Sequence, residues 1–278
     1  MSGHQFELSD PPTDAISAVK FAPDSPTRLL VSSWDRNVYL YDIQDGQTGR
    51  QQSSVSHAPA TIPLPSKPFS VSATATRLVV AMASRAIFIY DLNALYLMAS
   101  EAVPSDESHG ENVLELEPWQ QRESSLKFMT RAVACMPTDE GYALSSIEGR
   151  VGVDWFDPNP ETQAKKYAFK CHRQTEEGVD VVYPVNALAF HPVNKMTFAS
   201  GGGDGFVVLW DGSMKRRIRQ YQNFPASVSS LAWSADGKYL AVGVSPGFED
   251  GKEVIEEGSV KVFVREVTEA ETKGKGAK

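Results

Sequence analysis

Gly201-Gly202-Gly203-Asp204-Gly205-Phe206-Val207-Val208-Leu209-Trp210-Asp211 is a small-residue turn feeding an apolar run that stops at Trp-Asp. The pattern recurs along the chain. Val38-Tyr39-Leu40-Tyr41-Asp42, Ile87-Phe88-Ile89-Tyr90-Asp91 and Val151-Gly152-Val153-Asp154-Trp155-Phe156-Asp157 also stop at Asp. Val260-Lys261-Val262-Phe263-Val264 is a degenerate copy. In these copies the preceding turns are Ser32-Ser33-Trp34-Asp35, Ala83-Ser84-Arg85, Ser145-Ser146-Ile147-Glu148-Gly149 and Glu256-Glu257-Gly258-Ser259. Upstream of each lie two more strand-like runs, clearest in 185–192 with 197–200 and in 228–233 with 239–242. Alternation within runs, with Gly, Pro and Asp between them, marks hairpins of a meander.

Self-similarity at about 40–50 residues ending in Trp-Asp predicts an all-β fold, a WD-repeat β-propeller with five recognisable repeats. Gln5-Phe6-Glu7-Leu8 is expected as the outer strand of the last blade, which removes a free edge. Residues 1–270 read as one propeller domain. Within it, 44–67 (rich in Gln, Ser, Thr and Pro) and 100–117 (acidic and polar) read as flexible loops, and 271–278 as a flexible basic tail. A chain of 278 residues with 41% hydrophobic content can bury a sizeable core. A net charge of −8 argues against general binding of nucleic acid or anionic membranes. Two cysteines, Cys135 and Cys171, make a disulfide scaffold unexpected. No apolar signal core opens the chain and no run approaches membrane-spanning length, so a soluble intracellular protein is expected.

Catalytic chemistry finds little to stand on. Cys171 and His172 are adjacent, and on one strand they would point to opposite faces. The five histidines show no metal-ligand spacing with either cysteine. The glycine-rich 201–205 joins two strands, whereas a phosphate loop opens a helix. No catalytic residue, metal ligand or cofactor is therefore expected. The basic residues are more informative. Lys165, Lys166, Lys170, His172 and Arg173 form one cluster, and Lys215, Arg216, Arg217 and Arg219 another. Each is either a solvated loop or a site for carboxylates and phosphates, for which Arg is suited to bidentate contact. Trp34, in a turn beside Ser32 and Ser33, is either a blade-filling side chain or a surface anchor. Trp155 and Trp210 read as core.

Residues 119–211 carry more specific sequences: Arg122-Glu123-Ser124-Ser125-Leu126-Lys127, Ile147-Glu148-Gly149-Arg150-Val151, Phe169-Lys170-Cys171-His172-Arg173 and Tyr183-Pro184-Val185-Asn186-Ala187. With Leu30-Val31-Ser32-Ser33-Trp34-Asp35, these resemble the spindle assembly checkpoint family called budding uninhibited by benzimidazoles three. The resemblance covers residues 5–43 and 68–270. It implies a non-catalytic adaptor, monomeric within hetero-complexes, in the nucleus and at mitotic kinetochores with some in the cytoplasm. The implied partners are a checkpoint kinase or kinase-like protein, bound through a short paired-glutamate motif, and a phosphorylated kinetochore scaffold. Carried over by motif, Trp34, Lys170 and Arg173 become the peptide-binding candidates. Lys195, Lys215, Arg216 and Arg217 become the phosphopeptide-binding candidates. The related messenger RNA export factor shares the Ile-Glu-Gly-Arg-Val and Phe-Lys-Cys-His-Arg elements and is the alternative identity.

The family has seven blades and this chain five repeats. After Asp42, where the family continues with two more repeats, stands the polar stretch 44–67. A skipped exon, an incorrect gene model or a lineage-specific deletion would leave the chain this way. A truncated isoform without independent function is a further reading.

Overall fold

The computed structural model describes residues 5–8, 11–21, 25–33, 38–43, 51–52, 60–101, 112–113, 115–221, 224–247, 255–256 and 258–273. Strand β1 (Gln5–Glu7) precedes blade 1, made of β2 (Ile16–Phe21), β3 (Arg28–Ser33), β4 (Val38–Asp42) and β5 (Gln51–Gln52). A short β6 (Ala60–Thr61) leads to blade 2: β7 (Pro68–Ala73), β8 (Arg77–Met82) and β9 (Ala86–Asp91). Helix α1 (Leu92–Glu101) and β10 (Asn112–Val113) intervene before its fourth strand, β11 (Gln120–Glu123). Blade 3 is β12 (Thr130–Cys135), β13 (Gly141–Ser146), β14 (Arg150–Trp155) and, after α2 (Pro160–Gln163), β15 (Tyr167–Lys170). The hairpin β16 (Arg173–Glu176) and β17 (Val179–Val182) links it to blade 4: β18 (Val185–Phe190), β19 (Thr197–Gly202), β20 (Val207–Asp211) and β21 (Arg216–Tyr221). Blade 5 is β22 (Val228–Trp233), β23 (Tyr239–Val244) and β24 (Lys261–Glu266), and α3 (Glu269–Thr272) follows.

The five repeats are thus five four-stranded antiparallel sheets. The N-terminal strand fills the expected place: β1 pairs antiparallel with β24 as the outer strand of blade 5. The Asp that stops the run in blades 2, 3 and 4 has a mechanical role. Oδ1 of Asp91 accepts the Asn93 and Ala94 amides, that of Asp157 the Asn159 amide, and that of Asp211 the Ser213 and Met214 amides. Each carboxylate terminates the third strand by satisfying amides that the following turn leaves unpaired. The small residues upstream of the turns lie on second strands and also carry hydrogen bonds: Ser145 Oγ donates to the Val185 carbonyl at 2.7 Å, joining blade 3 to blade 4.

Alternating side chains give every blade two flanks, and the cores lie between blades. Val19, Leu29, Val31, Tyr39 and Tyr41 of blade 1 pack against Val262 and Val264 of blade 5. Further clusters join blade 5 to blade 4, blade 4 to blade 3 and blade 3 to blade 2. Inner strands pack at each of these four junctions, in the pairs β2–β22, β22–β18, β18–β12 and β12–β7. No comparable packing joins blade 1 to blade 2 among the described residues. Among the described residues the blades therefore form an arc ordered 1-5-4-3-2 whose sheets do not close.

Parts of the segments expected as loops are regular. Ser100 and Glu101 end α1, and β10 pairs in parallel with β6; 44–50, 53–59 and 102–111 lie outside the described residues. The fold also extends past 270, because Glu271 and Thr272 are buried. Thr272 accepts from Asn194 Nδ2 at 2.5 Å, and its carbonyl accepts from Thr197 Oγ1 at 2.9 Å. The end of the tail, 274–278, lies outside the described residues.

Candidate functional site

Blades 3 and 4, neighbours in the interior of the arc, are joined by a turn that begins at Cys171. Cys171 and His172 are not strand neighbours, as the sequence suggested. They follow β15, and His172 adopts a left-handed backbone with φ 46°. That conformation turns its ring inward, where the side chain is fully buried. Trp210 Nε1–H donates to Ser200 Oγ at 2.8 Å, and Ser200 Oγ lies 2.8 Å from His172 Nε2. His172 Nδ1 contacts the Asp204 carboxylate at 2.9 and 3.1 Å. Taken from Trp210 to Ser200 to His172, with Nδ1–H donating to Asp204, every donor has an acceptor. The four side chains tie β20, β19 and the 203–206 turn to the incoming chain. None of this was read from the sequence, although Ser200, Asp204 and Trp210 flank the very turn that defined the repeat.

With His172 fixed inward, Lys170 and Arg173 on either side of it reach the surface. They line two adjoining hollows. The first, of about 370 Å³, is also lined by Phe128, Ile147, Glu148, Arg150 and Val182. The second, of about 300 Å³, adds Gln174, Phe206, Arg217 and Gln220 over the buried four-residue chain. Arg173 Nη2 donates to the Glu148 and Gly149 carbonyls at 3.2 and 3.4 Å, while its Nε is buried with no acceptor among the described residues. Arg150 faces Glu148 at 3.4 Å. Among the described residues no carboxylate pairs with Lys170, Arg173 or Arg217, and Arg217 donates only to Gln220, at 2.8 Å. Phe128, Ile147 and Val182 are exposed beside these cations, at 52%, 38% and 39%. The result is a strip on which Lys170, Arg173 and Arg217 lack carboxylate partners among the described residues, with the Arg150–Glu148 pair beside them and apolar side chains along the flank. It is suited to an acidic peptide with one greasy edge.

The other candidates fall elsewhere. Lys195 lies in the β18–β19 turn, and Lys215 and Arg216 in the β20–β21 turn and at its exit. Antiparallel order puts both turns at the end of blade 4 opposite Arg173. Lys215 Nζ sits 4.7 Å over the Tyr167 ring, and Arg216 Nε is 4.0 Å from Asp211. The phosphopeptide candidates are therefore not one cluster: Arg217 joins Lys170 and Arg173, and the other three form a separate lower rim. Trp34 lies outside the described residues. Trp155 and Trp210 pack between blades 3 and 4, as expected of core residues. Phe128, Arg150 and Val182 were missed as lining residues. Arg150 stood in a motif read only for its resemblance.

Burial, with Asp204 adding to it, pushes the Cys171 thiol up to about 12 against a smaller pull from Arg173. It remains a thiol at neutral pH and is a poor nucleophile. Among the described residues no three His, Cys, Asp or Glu side chains are arranged to hold a metal ion.

The family model of the WD domain, G-beta repeat, matches residues 2–42, 167–211 and 216–252. The mitotic checkpoint protein BUB3.1 of Arabidopsis thaliana is 44% identical over 248 residues, covering 89% of this chain and 65% of the relative. Bub3 of Dictyostelium discoideum is 38% identical over 239 residues, 86% of this chain and 63% of the relative. Bub-3 of Caenorhabditis elegans is 34% identical over 264 residues, 94% of this chain and 68% of the relative. The chain thus spans about two thirds of the length of these relatives. A Poly(A)+ RNA export protein of Schizosaccharomyces pombe follows at 29% identity. Repeats, five antiparallel blades and checkpoint relatives along most of the chain agree: it belongs to the BUB3 family of mitotic checkpoint proteins.

Proposed function

We propose that this chain is a non-catalytic adaptor of the spindle assembly checkpoint that seats an acidic segment of a checkpoint kinase, or kinase-like protein, on the strip of blades 3 and 4. The observation that carries the reading is the convergence of Lys170, Arg173 and Arg217, none paired with a carboxylate, beside Phe128, Ile147 and Val182. Paired glutamates would accept charge-assisted hydrogen bonds from the guanidinium groups, and an apolar residue between them would cover the exposed side chains. The lower rim of Lys195, Lys215 and Arg216 is the second contact, for a phosphorylated segment of a kinetochore scaffold. Three exposed cations at one end of a blade support that reading. The protein would work in the nucleus and at kinetochores. Checkpoint relatives at higher identity than export relatives favour this function over messenger RNA export.

Titration calorimetry with a paired-glutamate peptide and its glutamine counterpart tests the assignment. Arg173→Ala should weaken the glutamate peptide by about 10- to 100-fold, the cost of one or two charge-assisted hydrogen bonds. Equal affinity for the two peptides, or an unaffected Arg173→Ala variant, would remove the strip as the site.

A further inference from the structure

Blade 2 ends the arc in a way no other blade does. At the four packed junctions a blade's flank is buried by the adjoining blade. On the free flank of blade 2 the β8 and β9 positions are instead covered from outside the blades, while Val71 and Phe69 of the inner strand β7 stay exposed at 61% and 37%. Val80, Met82 and Tyr90 are buried there, at 6%, 0% and 1% exposure, together with Leu78, Ala86 and Phe88. Their cover consists of Leu92, Leu95 and Met98 on one side of α1, joined by Ile62, Leu64 and Leu116. Among the described residues, none of blade 1 enters this cluster. The cover is anchored at both ends. Asp91 caps the start of α1 and pairs with Arg77 at 2.5 Å, while β10 pairs with β6, next to the stretch that supplies Ile62 and Leu64.

Met82 and Tyr90 are as deeply buried as core residues between blades, yet the other blades obtain that burial only from a neighbour. Across the opening, blade 1 presents the alternate positions of β2 and β3. These include an exposed Lys20 and a Ser32 whose hydroxyl lies 2.8 Å from Ser17 Oγ. The same face also carries the half-buried Leu30, paired across from Lys20. Repeat arrays require terminal units that close off their last apolar face.

We propose that α1, with residues 62–64 and Leu116 laid against it, is a capping module that takes the place of an adjoining blade and makes the five-blade arc a self-sufficient monomer. It removes the need for blade 1 to meet blade 2. Leu95 is its centre, and Tyr96, one residue on, is 69% exposed and outside the buried cluster.

Leu95→Ala tests this through thermal unfolding and amide hydrogen exchange. The expected result is a Tm several degrees lower, with lost protection concentrated in β8 and β9 and little change in β18–β20. Leu95→Asp should go further and produce concentration-dependent self-association in sedimentation velocity, as the flank of blade 2 is uncovered. Tyr96→Ser should match wild type in all three measurements. A Leu95→Ala variant with unchanged Tm and unchanged β8 and β9 exchange would overturn the proposal. So would a Leu95→Asp variant that stays as stable and as monomeric as wild type.

Discussion

Ser200 holds two partners at once, accepting the Trp210 indole N–H and bonding His172 Nε2, each at 2.8 Å and out of reach of water. Removing its hydroxyl orphans both, and an orphaned buried polar group costs about 1–3 kcal/mol. Ser200→Ala should therefore lower stability by that amount in urea titration. A change under about 0.5 kcal/mol, typical of an unimportant surface substitution, would mean the linked side chains do not support the blade. His191 gives a second, pH-dependent prediction. Its ring packs 4.6 Å from that of Trp233, and its Nε2 bonds the Gly237 carbonyl. Burial, only partly offset by that bond, lowers its pKa from the ordinary value of 6.5. The unfolded chain then binds the extra proton first. The His191 contribution is complete above about pH 6.5 and is lost as pH falls below it toward the folded value. His191→Gln should flatten the decline in stability between about pH 6.5 and 5 relative to wild type. An identical slope in the variant would contradict the assignment.

At the scale of elements, the β13–β14 turn decides whether the strip has a floor. Gly149 stands at φ +64°, and a Cβ there would lie 2.6 Å from the Cys171 carbonyl and 2.9 Å from Val182 Cγ1. Gly149→Ala should cost about 1–3 kcal/mol in strain. It should also weaken acidic-peptide binding, since the turn carries Glu148 and the carbonyls that hold Arg173. Chemical denaturation and peptide titration of this variant read the two effects separately; retained stability and affinity together would show that the turn tolerates a side chain. Elements of this kind were legible as turns because glycine and small residues punctuate apolar runs. What the turns position was not legible. The inward turn of His172 depends on a left-handed backbone between β15 and β16, and adjacency to Cys171 suggested a strand instead. Lys215 and Arg216 sit beside Arg217 in sequence, yet strand alternation and a turn send them to a different surface. Helix α1 lay between a run read for its Asp stop and a segment read as an acidic loop, and part of what it covers, Val80 and Met82, precedes it by a full strand.

At the scale of the molecule, an all-β propeller was readable from the repeat alone, whereas whether its five repeats close was left open by the polar stretch after Asp42. The way an open arc manages its ends appears only in three dimensions, where four inter-blade cores are joined by a fifth that, among the described residues, no second blade enters. The account requires these five blades to unfold as one unit and to keep a site for acidic peptide despite a net charge of −8. Thermal unfolding with the paired-glutamate peptide at about 100 times its Kd tests both requirements in one experiment. A ligand that binds only the folded state should add about 2.7 kcal/mol at that concentration. For a chain of this size, that is a rise in Tm of about 5 °C. The expected result is a single cooperative transition that moves upward with the glutamate peptide, stays in place with the glutamine peptide, and moves by about half as much or less in Arg173→Ala. A broad transition, or one that the two peptides shift equally, would contradict it.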